Sequence, residues 1–241
     1  MSINYEVLKQ IQSEFPTLRT SAVVEVAEEA TKPIVPIGLD GAEEMLHLVN
    51  QVFFSSKSSA PRVVAFSGIG REGNSWSACA RTAQLLAQQS SRAVCVVDGN
   101  LESKKLTFYC EDLVPREEIK GAVCREECIA MGNNLWLAGD RVITDGRVGL
   151  LPLTELQEKI AALLKAFQYV LIDTPGLMGS EGASVLTQVA GTVILVVEAN
   201  VTRRRDARRV AQSLQAGGVR LLGTILNNRT CPIPKGLSNK L

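Results

Sequence analysis

The sequence predicts an α/β domain with a mostly parallel central sheet and helices on both of its faces. Short runs of Val, Ile and Leu recur along the chain without polar alternation, which is typical of strands buried on both faces of a sheet. Longer segments between them carry apolar residues at helical spacing. The chain has 241 residues, of which 46% are hydrophobic and 21% are charged, and this composition suits one domain with one core.

Five segments are predicted as buried strands, because β-branched and other apolar residues dominate each of them. In chain order they are RVVAFSG (62–68), AVCVVDGN (93–100), YVLIDTPG (169–176), GTVILVVEA (191–199) and VRLLGTILN (219–227). Four segments are predicted as helices, because their apolar residues recur every three or four positions. These are GAEEMLHLVNQVFF (41–54), SWSACARTAQLLAQQ (75–89), TELQEKIAALLKAF (154–167) and TRRRDARRVAQSLQAGG (202–218).

The last predicted helix opens with a basic run that has five arginines within residues 203–209. We interpret the run as the solvated start of a helix whose inner face is Val210, Ala211 and Leu214, and the two glycines end that helix. A patch for an acidic partner or a membrane surface is the alternative. The net charge of +1 gives no general reason to expect nucleic-acid binding.

Residues 1–40 mix Pro, Thr and Glu with a few apolar residues, and we interpret them as an N-terminal arm that precedes a domain at 41–241. The arm is either an exposed tail or a docking segment. No apolar run approaches the ~20 residues that span a bilayer, and no signal peptide is recognisable. The six cysteines are irregularly spaced and the chain has one histidine, so reduced thiols are expected rather than a metal centre.

The first predicted strand runs into GIGREGNS (68–75), which is close to the phosphate-binding pattern G-x-x-x-x-G-K-[ST]. Gly68, Gly73 and Ser75 occupy the positions that the pattern requires. Asn74 stands where the pattern has lysine. A simple glycine turn between a strand and a helix could have a similar sequence, so the loop alone does not establish a nucleotide site.

Two other predicted strands end in acids, Asp98 in VVDGNL and Asp173 in LIDTPG. Ligands of this fold class bind beyond the carboxyl ends of the strands, where both acids would lie. Either acid alone could be a helix N-cap. With the Ser75 hydroxyl, however, the two carboxylates could hold Mg²⁺ beside a phosphate. The order of these pieces predicts a P-loop NTPase-like, three-layer α/β/α domain.

Four segments carry a resemblance to a known family: VVAFSGIGREGNS, AVCVVDGNLESKKL, YVLIDTPGL and GVRLLGTILNNR. They resemble the Walker A, Walker A′, Walker B and final-strand motifs of the bacterial tyrosine kinases of capsular and exopolysaccharide synthesis, the CpsD- and Wzc-like proteins. That family is related to the MinD and ParA ATPases. The resemblance covers roughly residues 40–230, nearly the whole predicted domain.

The resemblance implies a site for ATP or ADP with Mg²⁺, in which each motif residue has the role of its counterpart in the family. Ser75, Asp98 and Asp173 would bind Mg²⁺, and the two aspartates would be the catalytic acids of an active member. Asn227, at the end of the last strand, would face the adenine. The other nucleotide-binding positions would be Gly70, Arg71, Glu72, Gly73, Asn74 and Trp76, together with Ser75.

The chain departs from the family pattern within the site. Asn74 brings no charge to the phosphates, and the loss of a well-placed charge costs on the order of a thousandfold in rate. Arg71 is the nearby residue in the loop that could compensate. Asn100 replaces the second acid of the family's D-x-D motif, which should lower the affinity for Mg²⁺.

It also departs in features of assembly and substrate. The family's arginine-bearing helix, which is linked to ring-like self-association, has Glu44, His47 and Asn50 here. The family's C-terminal tyrosine cluster is missing, since the tail reads CPIPKGLSNKL. These losses, in independent places, indicate a degenerate member of the family, a pseudokinase that keeps the fold.

The resulting hypothesis is a protein impaired in ATP hydrolysis and phosphoryl transfer that acts as a regulatory or scaffolding subunit in polysaccharide or envelope assembly. A membrane-embedded assembly protein is its expected partner, and the cytoplasm, at the inner face of the membrane through that partner, its expected location. Nucleotide binding would be weakened or lost, and self-association stays open. Two alternatives are an active tyrosine kinase or ATPase that uses Arg71 or a partner's lysine, and a MinD/ParA-like positioning ATPase.

Overall fold

A computed structural model of the chain describes residues 42–54, 60–70, 74–103, 105–106, 128–132 and 134–227. The predicted N-terminal arm and the C-terminal tail lie outside these ranges. The predicted loop residues Arg71, Glu72 and Gly73 also lie outside them, so their roles stay predictions.

Within the described ranges the chain forms a seven-stranded sheet. Its strands are β1 (Val63–Gly68), β2 (Val94–Asp98), β3 (Cys128–Gly132), β4 (Leu135–Ala138), β5 (Tyr169–Thr174), β6 (Thr192–Glu198) and β7 (Arg220–Asn227). The order across the sheet is β3-β4-β2-β5-β1-β6-β7, and every neighbouring pair is parallel except β3 and β4. The predicted α/β class with a mostly parallel sheet is confirmed, and so are the five predicted strands.

Strands β3 and β4 were not predicted, and both lie at one side of the sheet. β4 has four residues, LWLA, which is too short for an apolar run to stand out. β3 is the edge strand, CIAMG, and it is only partly buried. Its first residue, Cys128, places a sulfur 3.8 Å from that of Cys95 in β2.

Six helices lie within the described ranges. They are α1 (Ala42–Phe53), α2 (Trp76–Gln89), α3 (Arg141–Thr144), α4 (Leu153–Ala166), α5 (Glu181–Ala190) and α6 (Arg204–Ala216). The four predicted helices are all present. The short helix α3 and helix α5 were missed, and small residues in α5 (EGASVLTQVA) hide its apolar spacing.

The helices cover both faces of the sheet. Successive residues of a strand point to opposite faces, so neighbouring residues show which helices pack on each face. Leu171 of β5 packs in the core with α1 and α2, whereas the next residue, Ile172, packs with α4 and α5. Helix α6 covers the same face as α4 and α5, through a core that contains Leu195 of β6. The carboxyl ends of parallel strands lie at one edge of the sheet. A ligand site at this edge is therefore formed by the loops that lead from the strands to the following helices.

Helix α6 buries Val210, Ala211 and Leu214, as the sequence predicted. The arginines at 203, 204, 205 and 209 are exposed along the opposite face, which agrees with a solvated helix start. In the part of the chain that is described, no helix combines the length and the apolar character needed to cross a membrane.

Candidate functional site

Asp98 and Asp173 lie side by side at the carboxyl edge of the sheet. β2 and β5 are parallel neighbours, and their register sets Asp98 opposite Asp173. Each residue is 2% exposed, so both carboxyl groups are withdrawn from bulk water. The structure thus brings together the two acids that the sequence placed at separate strand ends.

The third predicted metal ligand, Ser75, is in direct contact with one of these acids. Ser75 directly precedes α2 and is 1% exposed. Its hydroxyl donates a hydrogen bond to Oδ1 of Asp173 at 2.6 Å and lies 3.1 Å from the carbonyl oxygen of Thr174. A hydroxyl oxygen and two carboxylates at one place are hard oxygen ligands of the kind that Mg²⁺ takes.

The pKa of Asp173 is raised well above its ordinary value. Burial is the main cause, because the charged carboxylate loses its hydration, and the negative charge of Asp98 raises the pKa further. The hydrogen bond from Ser75 and the positive charge of Lys105 act in the opposite direction. A divalent cation bound beside Asp173 would favour the charged form and so oppose this rise in pKa.

Gly99 lets the chain after β2 pass close to β5. Its N–H donates to the carbonyl oxygen of Asp173 at 2.8 Å. A Cβ at this position would lie 2.7 Å from Cδ1 of Leu186 and would also press on the Asp173 carbonyl oxygen, so the position requires glycine. The amide that replaces the family's second acid, Asn100, belongs to the local turn: its N–H donates to Oδ1 of Asp98 at 3.2 Å.

Asn74 occupies the position of the missing lysine, and its side chain lies between two charged groups. Its Nδ2 donates to Oε1 of Glu198 at 3.2 Å. Its Oδ1 accepts a hydrogen bond from Nζ of Lys105 at 3.3 Å. The neutral amide therefore bridges an acid at the end of β6 and a lysine that follows β2.

Sequence reasoning missed both Glu198 and Lys105. They lie 124 and 31 positions from Asn74 along the chain, and their proximity is a property of the fold. Glu198 could have been found, since it is an acid at the end of a predicted strand, as Asp98 and Asp173 are. Nothing local distinguishes Lys105 from other exposed lysines. Lys105 is thus a candidate cation beside Asn74, and the role of Arg71 stays a prediction.

Asn227, the predicted adenine contact, is the last residue of β7 and pairs in register with Glu198. It is 1% exposed, and its Oδ1 has no hydrogen-bond partner among the described residues. A buried amide oxygen is seldom left without a donor, and the exocyclic amine of adenine would be one. Of the other predicted contacts, Gly70 is exposed just after β1, and Trp76 is the half-buried first residue of α2.

The start of α2 completes a set of groups that fits a nucleotide with Mg²⁺. A helix N-terminus offers free backbone N–H groups and a positive dipole end to phosphate. Here it begins next to Ser75, and Ser75 contacts the acid pair. The arrangement can hold an anion and a divalent cation together, but no lysine at position 74 reaches the anion.

Comparison with curated proteins finds bacterial tyrosine kinases. The chain is 26% identical over 132 residues to tyrosine-protein kinase CpsD of Streptococcus pneumoniae, which is 55% of this chain and 56% of CpsD. It is 26% identical over 204 residues to tyrosine-protein kinase YwqD of Bacillus subtilis, which is 80% of this chain and 83% of YwqD. The matches to two CpsD sequences span 56% and 60% of those proteins, less than two thirds of their length. No protein-family model matches the sequence.

Solved structures support the fold. The kinase domain of Escherichia coli tyrosine kinase ETK aligns with a TM-score of 0.64 at 16% identity, covering 93% of this chain and 96% of that domain. The septum site-determining protein MinD of Pyrococcus horikoshii, complexed with Mg-ADP, aligns with a TM-score of 0.53 at 19% identity, covering 74% and 76%. The chain is thus related to the bacterial tyrosine kinases CpsD and YwqD and has the P-loop α/β fold found in MinD and ParA ATPases.

Proposed function

We propose that the chain is a P-loop protein that transfers phosphate poorly and acts as a regulatory or scaffolding subunit in polysaccharide or envelope assembly. The observation that carries the proposal is the side chain of Asn74. It stands at the lysine position of the loop, and it donates to the carboxylate of Glu198.

Phosphoryl transfer depends on fixed positive charge around the transferred group, since the protein's contribution is mainly positioning and electrostatic stabilisation. At position 74 the chain offers a neutral amide, and that amide is bonded to an acid. Asp98 and Asp173 add two more carboxyl groups nearby. Without a lysine fixed at this position, the transfer rate should fall on the order of a thousandfold.

A nucleotide can still bind when phosphoryl transfer is slow, because binding depends on other groups of the site. Ser75, Asp98 and Asp173 would hold Mg²⁺, whose charge would offset that of the phosphates. The start of α2 would hold the phosphates, and Oδ1 of Asn227 would accept from the adenine amine. These residues position a ligand, and none of them supplies the missing fixed charge.

A protein of this kind would act through a partner. The family that its motifs resemble works in capsular and exopolysaccharide synthesis, so the proposed partner is a membrane-embedded polysaccharide-assembly protein. The chain would then sit in the cytoplasm, at the inner face of the membrane. A bound or empty nucleotide site could change the shape that the partner meets without any turnover.

The first test measures ATP hydrolysis and tyrosine phosphorylation by the purified chain. Both rates should be no higher for the native protein than for the Asp173→Asn variant, in which the side chain keeps its size but loses its charge. The double substitution Asn74→Lys/Asn100→Asp, which restores both lost charges, should raise turnover. Turnover by the native chain near the roughly 10 s⁻¹ of a typical enzyme, lost in Asp173→Asn, would instead establish an active ATPase or kinase.

The second test asks whether polymer assembly needs the chain but not its chemistry. Cells that lack the chain should make less polymer, and both the native chain and Asp173→Asn should restore the yield. Restoration by the native chain alone would contradict a scaffolding role, because it would make the reactivity of the site essential.

A further inference from the structure

We propose that Lys105 supplies the positive charge for nucleotide phosphates that position 74 lacks. The inference deepens the proposed function and rests on it: the chain would keep ground-state binding of a nucleoside diphosphate or triphosphate while transfer stays slow. Lys105 would be a binding residue that reaches the site from the segment after β2, whereas the usual lysine reaches it from the loop before α2.

The position of the ammonium group carries the proposal. Nζ of Lys105 lies 3.3 Å from Oδ1 of Asn74. Asn74 is the residue directly before Ser75, and the hydroxyl of Ser75 is 2.6 Å from Oδ1 of Asp173. The ammonium is therefore at the side chain that replaces the lysine and beside the predicted metal ligands.

Lys105 is available to a ligand. It is exposed, and it forms no ion pair with a carboxylate of the described residues. Its hydrogen-bond acceptor there is a neutral amide oxygen. A phosphate oxygen is a stronger acceptor for an ammonium group, because the bond is charge-assisted. The flexible four-carbon stem of lysine can exchange one acceptor for the other by a small rotation.

Asn74 separates Lys105 from Glu198, the nearby acid of the described residues. Its Oδ1 faces Lys105 and its Nδ2 faces Glu198, so the amide stands between the lysine and the acid. A direct ion pair between the two would hold the ammonium and weaken its attraction for phosphate. The asparagine thus donates its own N–H to the acid and leaves the lysine with a neutral acceptor that a phosphate can displace.

The ligand class follows from this charge. A cation at the phosphate side of the site attracts negative charge. Lys105 should therefore raise the affinity for ATP and ADP, and raise that for AMP, which has a single phosphate, only slightly. The attraction between the ammonium and the phosphates does not depend on the base or the ribose, so inorganic pyrophosphate should also compete.

The test is calorimetric titration of the purified chain with ATP, ADP and AMP, each with Mg²⁺. Lys105→Met should weaken ATP and ADP binding by about tenfold to a hundredfold, the range for hydrogen bonds to charged groups. Lys105→Arg should keep most of the affinity. Lys165→Met is the matched control: it removes the same charge from the exposed last turn of α4, which leads to the opposite edge of the sheet, and should change nothing.

Two further variants separate charge from structure. Lys105→Gln can still donate to Asn74 but has no charge, so it should bind as weakly as Lys105→Met. Asn74→Lys in the Lys105→Met background should restore part of the affinity for ATP and ADP, because it returns a positive charge to the site although Glu198 can pair with it. If Lys105→Gln binds like the native chain, the residue only positions Asn74 and the proposal is overturned.

The outcomes also distinguish the inference from the function on which it rests. Native binding that survives Lys105→Met overturns the inference and leaves a weakly transferring nucleotide-binding protein. Absence of any saturable binding by the native chain also overturns it, and a scaffold without nucleotide remains. Rapid turnover that disappears in Lys105→Met would support the role of Lys105 and overturn the proposed loss of transfer.

Discussion

The candidate site has two halves whose residues come from different parts of the fold. The metal half is Ser75, Asp98 and Asp173, and the phosphate half is Asn74, Lys105 and Glu198. The metal half is buried and keeps the residues expected at the start of α2 and at the ends of β2 and β5. In the phosphate half only the position of Asn74 belongs to the expected loop, and its charged partners come from β6 and from the segment after β2.

This difference follows from what each half has to do. A metal ion demands several oxygen atoms at fixed distances, so its ligands must sit on rigid elements. A phosphate accepts a cation from many directions, and a lysine carries its charge on a flexible stem. A positive charge can therefore move to another segment of the chain more easily than a metal ligand can. A lysine on another segment would not hold its charge at the fixed position that stabilises a transition state.

The largest expected effect comes from giving the phosphate half its lysine back. Asn74→Lys should raise ATP turnover, but Oε1 of Glu198 accepts from residue 74 at 3.2 Å and would pair with the new ammonium. Asn74→Lys/Glu198→Gln should therefore exceed Asn74→Lys by about tenfold, which corresponds to about 1.4 kcal/mol. Steady-state measurement of phosphate release compares the two.

Glu198→Gln alone is the control, because removing the acid without adding the lysine should leave turnover at the native level. Equal rates for the single and double variants would show that Glu198 does not hold residue 74 away from the ligand. The contrast between the two halves would then rest on the charge at position 74 alone.

The stability of the fold should be more sensitive to a substitution beside the metal half, at Gly99, than to one in the phosphate half, at Lys105. Gly99→Ala would place its Cβ 2.7 Å from Cδ1 of Leu186 and against a backbone carbonyl, so it should lower the free energy of unfolding by about 1–3 kcal/mol. It should also weaken Mg²⁺-dependent nucleotide binding, since Asp98 is the adjacent residue. Urea denaturation and titration measure the two effects.

Gly139→Ala is the matched control, since a Cβ at Gly139 would meet nothing within 4 Å. Its unfolding midpoint should stay close to that of the native chain, and so should that of Lys105→Met in the phosphate half. If Gly99→Ala unfolds at the same urea concentration as Gly139→Ala, the passage beside β5 has more room than its geometry indicates.

The same contrast explains how much could be predicted from the sequence. Asp98 and Asp173 are at the carboxyl ends of buried strands and Ser75 directly precedes a helix, so local patterns located all three. The rule that ligands bind beyond strand ends predicted that the two acids lie together. Lys105 has no such mark, because its place beside Asn74 depends on the course of the chain between elements. The edge strand β3 and helix α5 were missed for a related reason, since partial burial and small residues blur the apolar spacing.

The smallest expected effect concerns stability and pH in the metal half. Burial raises the pKa of Asp173 in the folded chain above the usual value of about 3.9. At a pH between the unfolded and the folded pKa, the folded chain therefore binds more protons than the unfolded chain. The free energy of unfolding should therefore fall as the pH rises through this window. Asp173→Asn removes the titration and should melt about 2–4 °C higher above the window, the shift that 1 kcal/mol gives in a domain of this size.

Below about pH 4 the advantage of Asp173→Asn should disappear, because the native side chain is then neutral in both states. Glu158→Gln, at an exposed position of α4, removes a carboxylate from the surface and should show no such pH-dependent gain. Melting curves in the absence of Mg²⁺ compare the three proteins. A variant less stable than the native chain at alkaline pH would mean that the hydrogen bond from Ser75 and the charge of Lys105 outweigh the cost of burial. The charged form of Asp173 would then be stable in the fold without Mg²⁺. The two halves would differ only in how closely their residues follow the family pattern.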